Sequence, residues 1–273
     1  MPEKLLDELI RYARAEDNIR LMAMNGSRVN RAVAVDQFMD FDVVYAVRDP
    51  GPYLNEPDWS RRFGPIAISQ TPFFMEEGGD EELIFMTWYE DGSRSDIRIL
   101  ELDRLKDYLR EDTLTRIILD KDQRVTELPE PSAAGHWLKK PSEHRFGDAV
   151  NEFWWVSLYV TKALARDQYV AATGYLAIVR EELIRVMAWN RAHDADYRLN
   201  FGGQWKFLEQ HLKEEKVRAL SGTFDLMDPS GIKRSLAQCR ILFRAECREY
   251  AEKTGYSVPD YARRVLTLEA DWQ

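Results

Sequence analysis

The chain has 273 residues, 45% hydrophobic and 31% charged, which suits a soluble globular protein with a sizeable core and, at this length, leads to an expectation of two domains. No apolar run approaches the length of a membrane span, and the start of the chain opens an amphipathic helix and not a signal peptide, so a cytoplasmic protein is expected. The net charge of −9, without a basic run, argues against clamping a nucleic-acid backbone, which needs Lys and Arg to neutralise phosphates.

Residues 3–16 are predicted to form a helix with Leu5, Leu6, Leu9, Ile10 and Ala13 on one face, and residues 19–24 a short strand. The strand runs into Asn25-Gly26-Ser27-Arg28, where Gly26 allows a tight bend whose N–H groups can face an anion with no Cβ in the way, and Ser27 adds a hydroxyl. Twelve residues separate Ser27 from Asp40-Phe41-Asp42-Val43-Val44-Tyr45-Ala46-Val47, whose β-branched and aromatic residues favour a strand. The period of two then puts Asp40 and Asp42 on one face and Phe41, Val43, Tyr45 and Val47 on the other. Neighbouring carboxylates repel, a divalent cation relieves the repulsion, and magnesium prefers one or two carboxylates plus substrate phosphates to an all-protein cage. A Gly-Ser pair alone is usually a turn, and a lone Asp-x-Asp is usually a solvated strand face. In this order and flanked by strands, they point to nucleotidyl transfer.

Asp49-Pro50-Gly51-Pro52 ends the strand, Asp58 is placed to cap a short helix through Trp59–Phe63, and Ile66-Ala67-Ile68 reads as another strand. Strands over 83–89 and 96–100 flank Asp91-Gly92, a strong hairpin signal, and in the second arm Ile97 and Ile99 share one face while Asp96 and Arg98 share the other. After a helix over 102–110 and a strand near 115–119, residues 129–135 have linker composition, which places a boundary after Gly135. Beyond it the strand patterns vanish, and apolar-periodic stretches at 143–167, 170–195, 204–220, 230–254 and 259–271 describe a helical bundle. The expected fold is therefore α+β: residues 1–135 a mixed sheet flanked by helices, residues 136–273 helical.

Several features read as ordinary structure. Phe153, Trp154, Trp155 and Tyr159 are expected in the core, with Trp155 and Tyr159 packing at i,i+4. Cys239 and Cys247 are eight apart in a helical pattern, too far along an axis for a local disulfide, and the four histidines show no ligand spacing, so no structural zinc is expected. Charge divides unevenly: residues 1–140 hold 19 Lys+Arg against 28 Asp+Glu, leaving the remainder neutral. Excess acid keeps a protein soluble, and it also suits a cationic acceptor.

Asn25-Gly26-Ser27-Arg28-Val29-Asn30 followed by Asp36-Gln37-Phe38-Met39-Asp40-Phe41-Asp42-Val43 resembles the DNA polymerase β-like nucleotidyltransferase superfamily, and within it the aminoglycoside 6-adenylyltransferases that modify streptomycin. That family's motif is nearly Asn-Gly-Ser-Arg followed by Asp-x-Phe-Gln-Asp-Tyr-Asp-Ile. Met39 replaces its Gln and Phe41 its Tyr, and neither change removes a carboxylate. The blocks at 151–155 and 159–164, and at 179–183 with Met187-Ala188-Trp189, are similar to the family's second domain, so the resemblance spans most of the chain.

The resemblance implies a nucleotidyltransferase domain followed by a substrate-binding one, with transfer of AMP from ATP to a hydroxyl of a streptomycin-like aminoglycoside, at position 6, and release of pyrophosphate. It implies that Gly26, Ser27 and Arg28 hold the triphosphate and that Asp40 and Asp42 bind magnesium. The hairpin arm would supply a third acid, Asp96, in a context similar to the family's Arg-Ile-Asp-Leu-Thr, as ligand to a second ion or as acceptor of the hydroxyl proton. Glu181 and Glu182, by themselves a solvated helix face, lie inside a resembling block and become candidates for recognising a polycationic acceptor. Asn200-Phe201-Gly202-Gly203-Gln204-Trp205-Lys206 reads as an interhelical turn; the family has Gly-Lys near here and this chain Gly-Gly-Gln, so no role is carried over. Enclosure between the domains would exclude water and favour the sugar over hydrolysis. A monomer or homodimer is expected. Two rivals are another small-molecule acceptor and a non-catalytic nucleotide-binding or antitoxin-like protein of the same fold; intact Asp40, Asp42 and Asp96 argue against the second.

Overall fold

A computed structural model describes the chain except for Met1, Ala32, Val35, Pro57, Gly78, Gly79, Asp271 and Gln273. It divides into two compact units, Met1–Gly135 and His136–Gln273.

In the first unit, helix α1 (Pro2–Ala15) precedes β1 (Ile19–Asn25) and β2 (Phe41–Val47), with a four-residue 3-10 turn, Gly26–Val29, at the end of β1. A one-turn helix α2 (Gly51–Leu54) and a 3-10 segment Trp59–Phe63 lead to β3 (Ile66–Glu77), β4 (Asp80–Tyr89) and β5 (Arg94–Glu101). Helix α3 (Leu105–Glu111) and β6 (Thr115–Asp120) complete the unit. The six strands form one sheet in the order β3-β4-β5-β2-β1-β6, in which β2 and β5 run parallel and every other pair antiparallel.

β2 sits near the middle because both of its faces are apolar. Phe41, Val43, Tyr45 and Val47 pack with Leu5, Leu9 and Ala13 of α1, while Val44 and Ala46 pack with Leu105 and Tyr108 of α3. Trp59 plugs the α1 side, edge-on to Tyr12, Tyr45, Tyr53 and Phe63, and the Tyr45 hydroxyl donates to the Leu9 carbonyl at 2.9 Å. Asp58 precedes the 3-10 segment as expected but makes no capping hydrogen bond; its carboxylate is the 3.5 Å ion-pair partner of Arg61.

The second unit is built on three long helices, α4 (Glu143–Leu164), α5 (Tyr169–Asp194) and α7 (Pro229–Thr254), with the shorter α6 (Glu214–Ser221) and α8 (Tyr261–Ala270) beside them. Their ends follow local chemistry. Ser142 caps α4 by accepting the Arg145 N–H, Asp228 caps α7 ahead of Pro229, and Gly255 ends α7 at φ 77°. The rings of Phe153 and Phe243 stack 3.6 Å apart at the centre of the core. Cys239 and Cys247 are free and buried.

Two expectations for this unit need correction. No continuous helix runs over 204–220: Gln204 and Trp205 adopt positive φ, 54° and 59°, which an α-helix cannot accommodate, so the chain makes short 3-10 turns and only Glu214–Ser221 is α-helical. The loop is held because Phe201 and Leu208 bury against Ala188 and Ala192, a second apolar side of α5. Trp155 is also not core. Its side chain is 56% exposed, donating its indole N–H to the Tyr159 hydroxyl at 3.1 Å, while Phe153 and Trp154 are buried. Asp271, the end of the last expected helix, lies outside the described residues. No helix among the described residues is long and apolar enough to cross a membrane.

Candidate active site

The turn after β1 is built from its own sequence. Asn25 ends the strand and anchors it, its Nδ2 donating to Asp112 (2.6 Å) and to the Thr115 hydroxyl (2.9 Å), while Tyr108 donates its hydroxyl to Asn25 Oδ1 at 2.5 Å. Gly26 follows at φ 71°, a left-handed conformation that favours glycine. Its hydrogen faces Asp42: a Cβ there would overlap the carboxylate oxygen and stand 3.1 Å from Cγ. The glycine thus lets the turn close directly over an acid of the next strand. Ser27 occupies the 3-10 turn, half-buried, with its carbonyl accepting the Asn30 N–H at 3.2 Å.

Arg28 points the other way along the turn. Its Nε and Nη2 donate to the carbonyls of Asp40 (2.9 Å) and Met39 (2.8 Å), and its guanidinium lies 3.6 Å from the centre of the Phe41 ring. It fastens the segment that presents Asp40, which stands one residue before β2.

β2 and β5 set the remaining acids. In the parallel ladder Asp42 is the register partner of Asp96, so the two carboxylates stand side by side on one face of the sheet, both half-buried. Burial first, and then the nearby charges of Asp96 and Asp40, push the Asp42 carboxyl up to about 6. Asp96 is likewise raised, chiefly by burial, against the opposing pull of Arg94.

Arg94 is the residue that sequence reasoning missed. Two positions before Asp96 on the same strand, it donates to both Asp96 oxygens (3.1 and 2.7 Å), and its Nη1 lies 3.0 Å from Asp40 Oδ2. The signal was available, since the alternation that pairs Asp96 with Arg98 also puts Arg94 on their face. Asn25, Tyr108, Asp112 and Thr115, which together fix the end of β1, carry no such signal because they meet only in three dimensions.

The first unit therefore brings Gly26, Asp40, Asp42 and Asp96 together, with Ser27 and Arg28 on the adjoining turn. Among the described residues no three acidic, histidine or cysteine side chains are gathered tightly enough to hold a metal ion as they stand. The donor set nevertheless fits magnesium, which asks for one or two carboxylates and takes its other ligands from phosphates and water. A carboxyl raised by burial and then by two neighbouring acids, with a guanidinium drawn in between Asp40 and Asp96, marks a crowded set of acids.

Glu181 and Glu182 lie on α5 in the second unit and differ sharply. Glu181 is partly exposed; its two oxygens both accept the Trp205 indole N–H at 3.0 Å, and one accepts from Arg185 at 3.2 Å. Glu182 is buried, with its pKa raised mainly by that burial, and pairs with Arg185 Nε at 3.0 Å. The strained Gln204-Trp205 backbone is what delivers the indole to Glu181. Lys206 follows that strained pair, where the 3-10 turn ends.

Known proteins resemble this chain over nearly its whole length. The family model for streptomycin adenylyltransferase matches residues 1–269. An aminoglycoside 6-adenylyltransferase of Bacillus subtilis (strain 168) is 32% identical over 95% of this chain and 93% of its own, and one of Staphylococcus aureus is 29% identical over 96% and 95%. The crystal structure of an aminoglycoside 6-adenyltransferase from Bacillus subtilis aligns over 98% of this chain and 97% of its own, with 28% identity and a TM-score of 0.50. A match that runs through both units, not the Gly-Ser turn alone, makes this chain a member of the streptomycin adenylyltransferase family.

Proposed function

We propose that the protein transfers AMP from ATP to a hydroxyl of an aminoglycoside, streptomycin-like and at position 6, releasing pyrophosphate. The observation that carries the reading is the register of Asp42 against Asp96 beside the Gly26 turn: the bend closes directly over one acid of a side-by-side carboxylate pair. The relatives named as aminoglycoside 6-adenylyltransferases supply the acceptor class.

In this reading the first unit is the catalytic domain and the second binds the acceptor. The N–H groups of the Gly26-Ser27 turn and the Ser27 hydroxyl hold the triphosphate, and Arg28 keeps the Asp40 segment in place beside it. Asp40 and Asp42 hold magnesium, and Asp96 either supports a second ion or takes the proton of the attacking hydroxyl. Magnesium, when bound, neutralises charge on the triphosphate and on the departing pyrophosphate. Glu181 offers a carboxylate to a cationic acceptor, and the acidic first half of the chain suits such a ligand better than a nucleic acid. A cytoplasmic protein, with ATP at hand, fits this reading.

The test is incubation with ATP, magnesium and a panel of aminoglycosides, scored for pyrophosphate and for the mass of an added AMP. Adenylylated streptomycin is the expected product. Modification of a different acceptor would keep the chemistry and change the substrate, and no transfer to any acceptor would overturn the reading.

A further inference from the structure

The Arg94 guanidinium sits where the acidic cluster needs a cation. It grips Asp96 through two nitrogens, and with the third it covers Oδ2 of Asp40 at 3.0 Å. Those are two of the three acids assigned above to the metal-dependent site, and the third, Asp42, is the register partner of Asp96. Arg94 keeps a way to solvent. Its side chain is 28% exposed, it directly follows the hairpin turn at Gly92 and Ser93, and its guanidinium lies 5.6 Å from the ring of its own strand partner, Trp88, which is itself exposed. With residues 37–41 and Trp88, this hairpin end lines a small cleft.

We propose that Arg94 is the resident counter-cation of the metal-free site: it holds Asp40 and Asp96 in place before magnesium arrives and gives up the Asp40 oxygen when the ion binds. The proposal rests on the assignment of Asp40 and Asp42 to magnesium. Nη1 takes one lone pair of Asp40 Oδ2, and a guanidinium and a metal ion drawn to the same carboxylate repel each other at such range. Arg94 therefore organises the acids and at the same time lowers their affinity for a bare ion. The triphosphate, which brings further oxygen ligands, tips the balance, so metal and nucleotide load together. Arg94 is a positioning residue in this scheme, acting through Asp40 and Asp96.

The test compares wild type, Arg94→Gln and Arg94→Lys by calorimetric titration with Mn2+ alone and with Mn2+ plus a non-hydrolysable ATP analogue, and by melting in chelator and in magnesium. Arg94→Gln is expected to melt a few degrees lower in chelator, to bind bare Mn2+ about tenfold more tightly, a factor that needs only a small change in local charge balance, and to gain more from magnesium than wild type does. Arg94→Lys, which keeps the charge without the two-pronged grip, should fall between. Unchanged or weaker Mn2+ binding by a folded Arg94→Gln protein overturns the proposal, and if wild-type Mn2+ binding is also lost in Asp42→Asn, the assignment of the metal site stands. Should Arg94→Gln not fold, the lysine variant decides alone: tighter binding supports the proposal and unchanged binding overturns it. A wild-type protein that takes no Mn2+ even with the analogue removes the metal assignment, and the counter-cation falls with it.

Discussion

Gly26 and Asp42 compete for the same space: the turn after β1 closes so tightly over β2 that a methyl group on Gly26 would overlap the Asp42 carboxylate. Gly26→Ala therefore meets two penalties, about 1–2 kcal/mol for the left-handed backbone and the displacement of an acid assigned to the metal. The expected outcome is a folded protein melting a few degrees lower, with kcat/KM for AMP transfer down about a hundredfold, the scale expected when a reacting group is misplaced by roughly an ångström. Steady-state kinetics beside a melting curve check it, and a fully active Gly26→Ala enzyme would show that the turn does not need to approach Asp42.

Asp40 and Asp42 are expected to be equally necessary for turnover and opposite in their effect on the empty protein. Either change to Asn removes a charge that holds magnesium and should abolish transfer. In chelator, Asp42→Asn should melt at or above wild type, because it relieves first the burial of a charge and then the crowding by Asp96 and Asp40 that push this carboxyl up. Asp40→Asn should melt slightly lower, since it removes an ion-pair partner of Arg94, a half-exposed pair worth at most about 1 kcal/mol. Near-normal turnover by either variant sinks the metal assignment.

For Asp96 the same substitution distinguishes two roles. As a proton acceptor, Asp96→Asn binds MgATP almost normally and loses kcat; as a metal ligand, it needs more magnesium, and extra magnesium or manganese restores part of the rate. Calorimetry of MgATP binding, run beside a magnesium titration of turnover, separates the two. Full activity at ordinary magnesium refutes both.

The two glutamates of α5 should part company. Glu181→Gln is expected to raise KM for the aminoglycoside several-fold with little change in KM for ATP, and added salt should weaken acceptor binding by wild type. Glu182→Gln should act mainly on stability, because that side chain is buried against Arg185. Acceptor binding that ignores both ionic strength and Glu181 would rule out an electrostatic acceptor site on this helix.

Acid stability has a defined source in the second unit. Burial alone would raise the Glu249 carboxyl, but hydrogen bonds from Lys216 and Lys253, with Arg191 nearby, win and hold it at about 2, below its ordinary 4.5. A carboxyl depressed on folding stabilises fully above its unfolded pKa, and that stabilisation is lost as pH falls from about 4.5 towards 2. Discounted for a side chain one-third exposed, the contribution is about 1–2 kcal/mol. Melting temperature against pH should fall less steeply over that window in Glu249→Gln, and parallel curves would remove Glu249 as the cause.

Local chemistry determined a good deal. The alternation of Phe41, Val43, Tyr45 and Val47 gave β2 and its buried face, the Asp91-Gly92 turn gave the β4–β5 hairpin, and the linker composition before His136 marked the division between the units, because each depends on residues close together in the chain. The acidic motif and the Gly-Ser turn were legible for the same reason. Where prediction failed, the cause was tertiary. The helix expected over 204–220 gives way to strained turns because Phe201 and Leu208 gain more by packing on α5 than the backbone loses. Trp155 is exposed because Phe153 and Trp154 already fill the core-facing side of α4. The sequence could place Asp42 and Asp96 on neighbouring strands, but only parallel pairing of β2 with β5 makes them register partners, and only the resulting crowding of acids explains why Arg94 is drawn between Asp40 and Asp96. Register is a property of the whole sheet, set by which faces bury together, and no single strand encodes it.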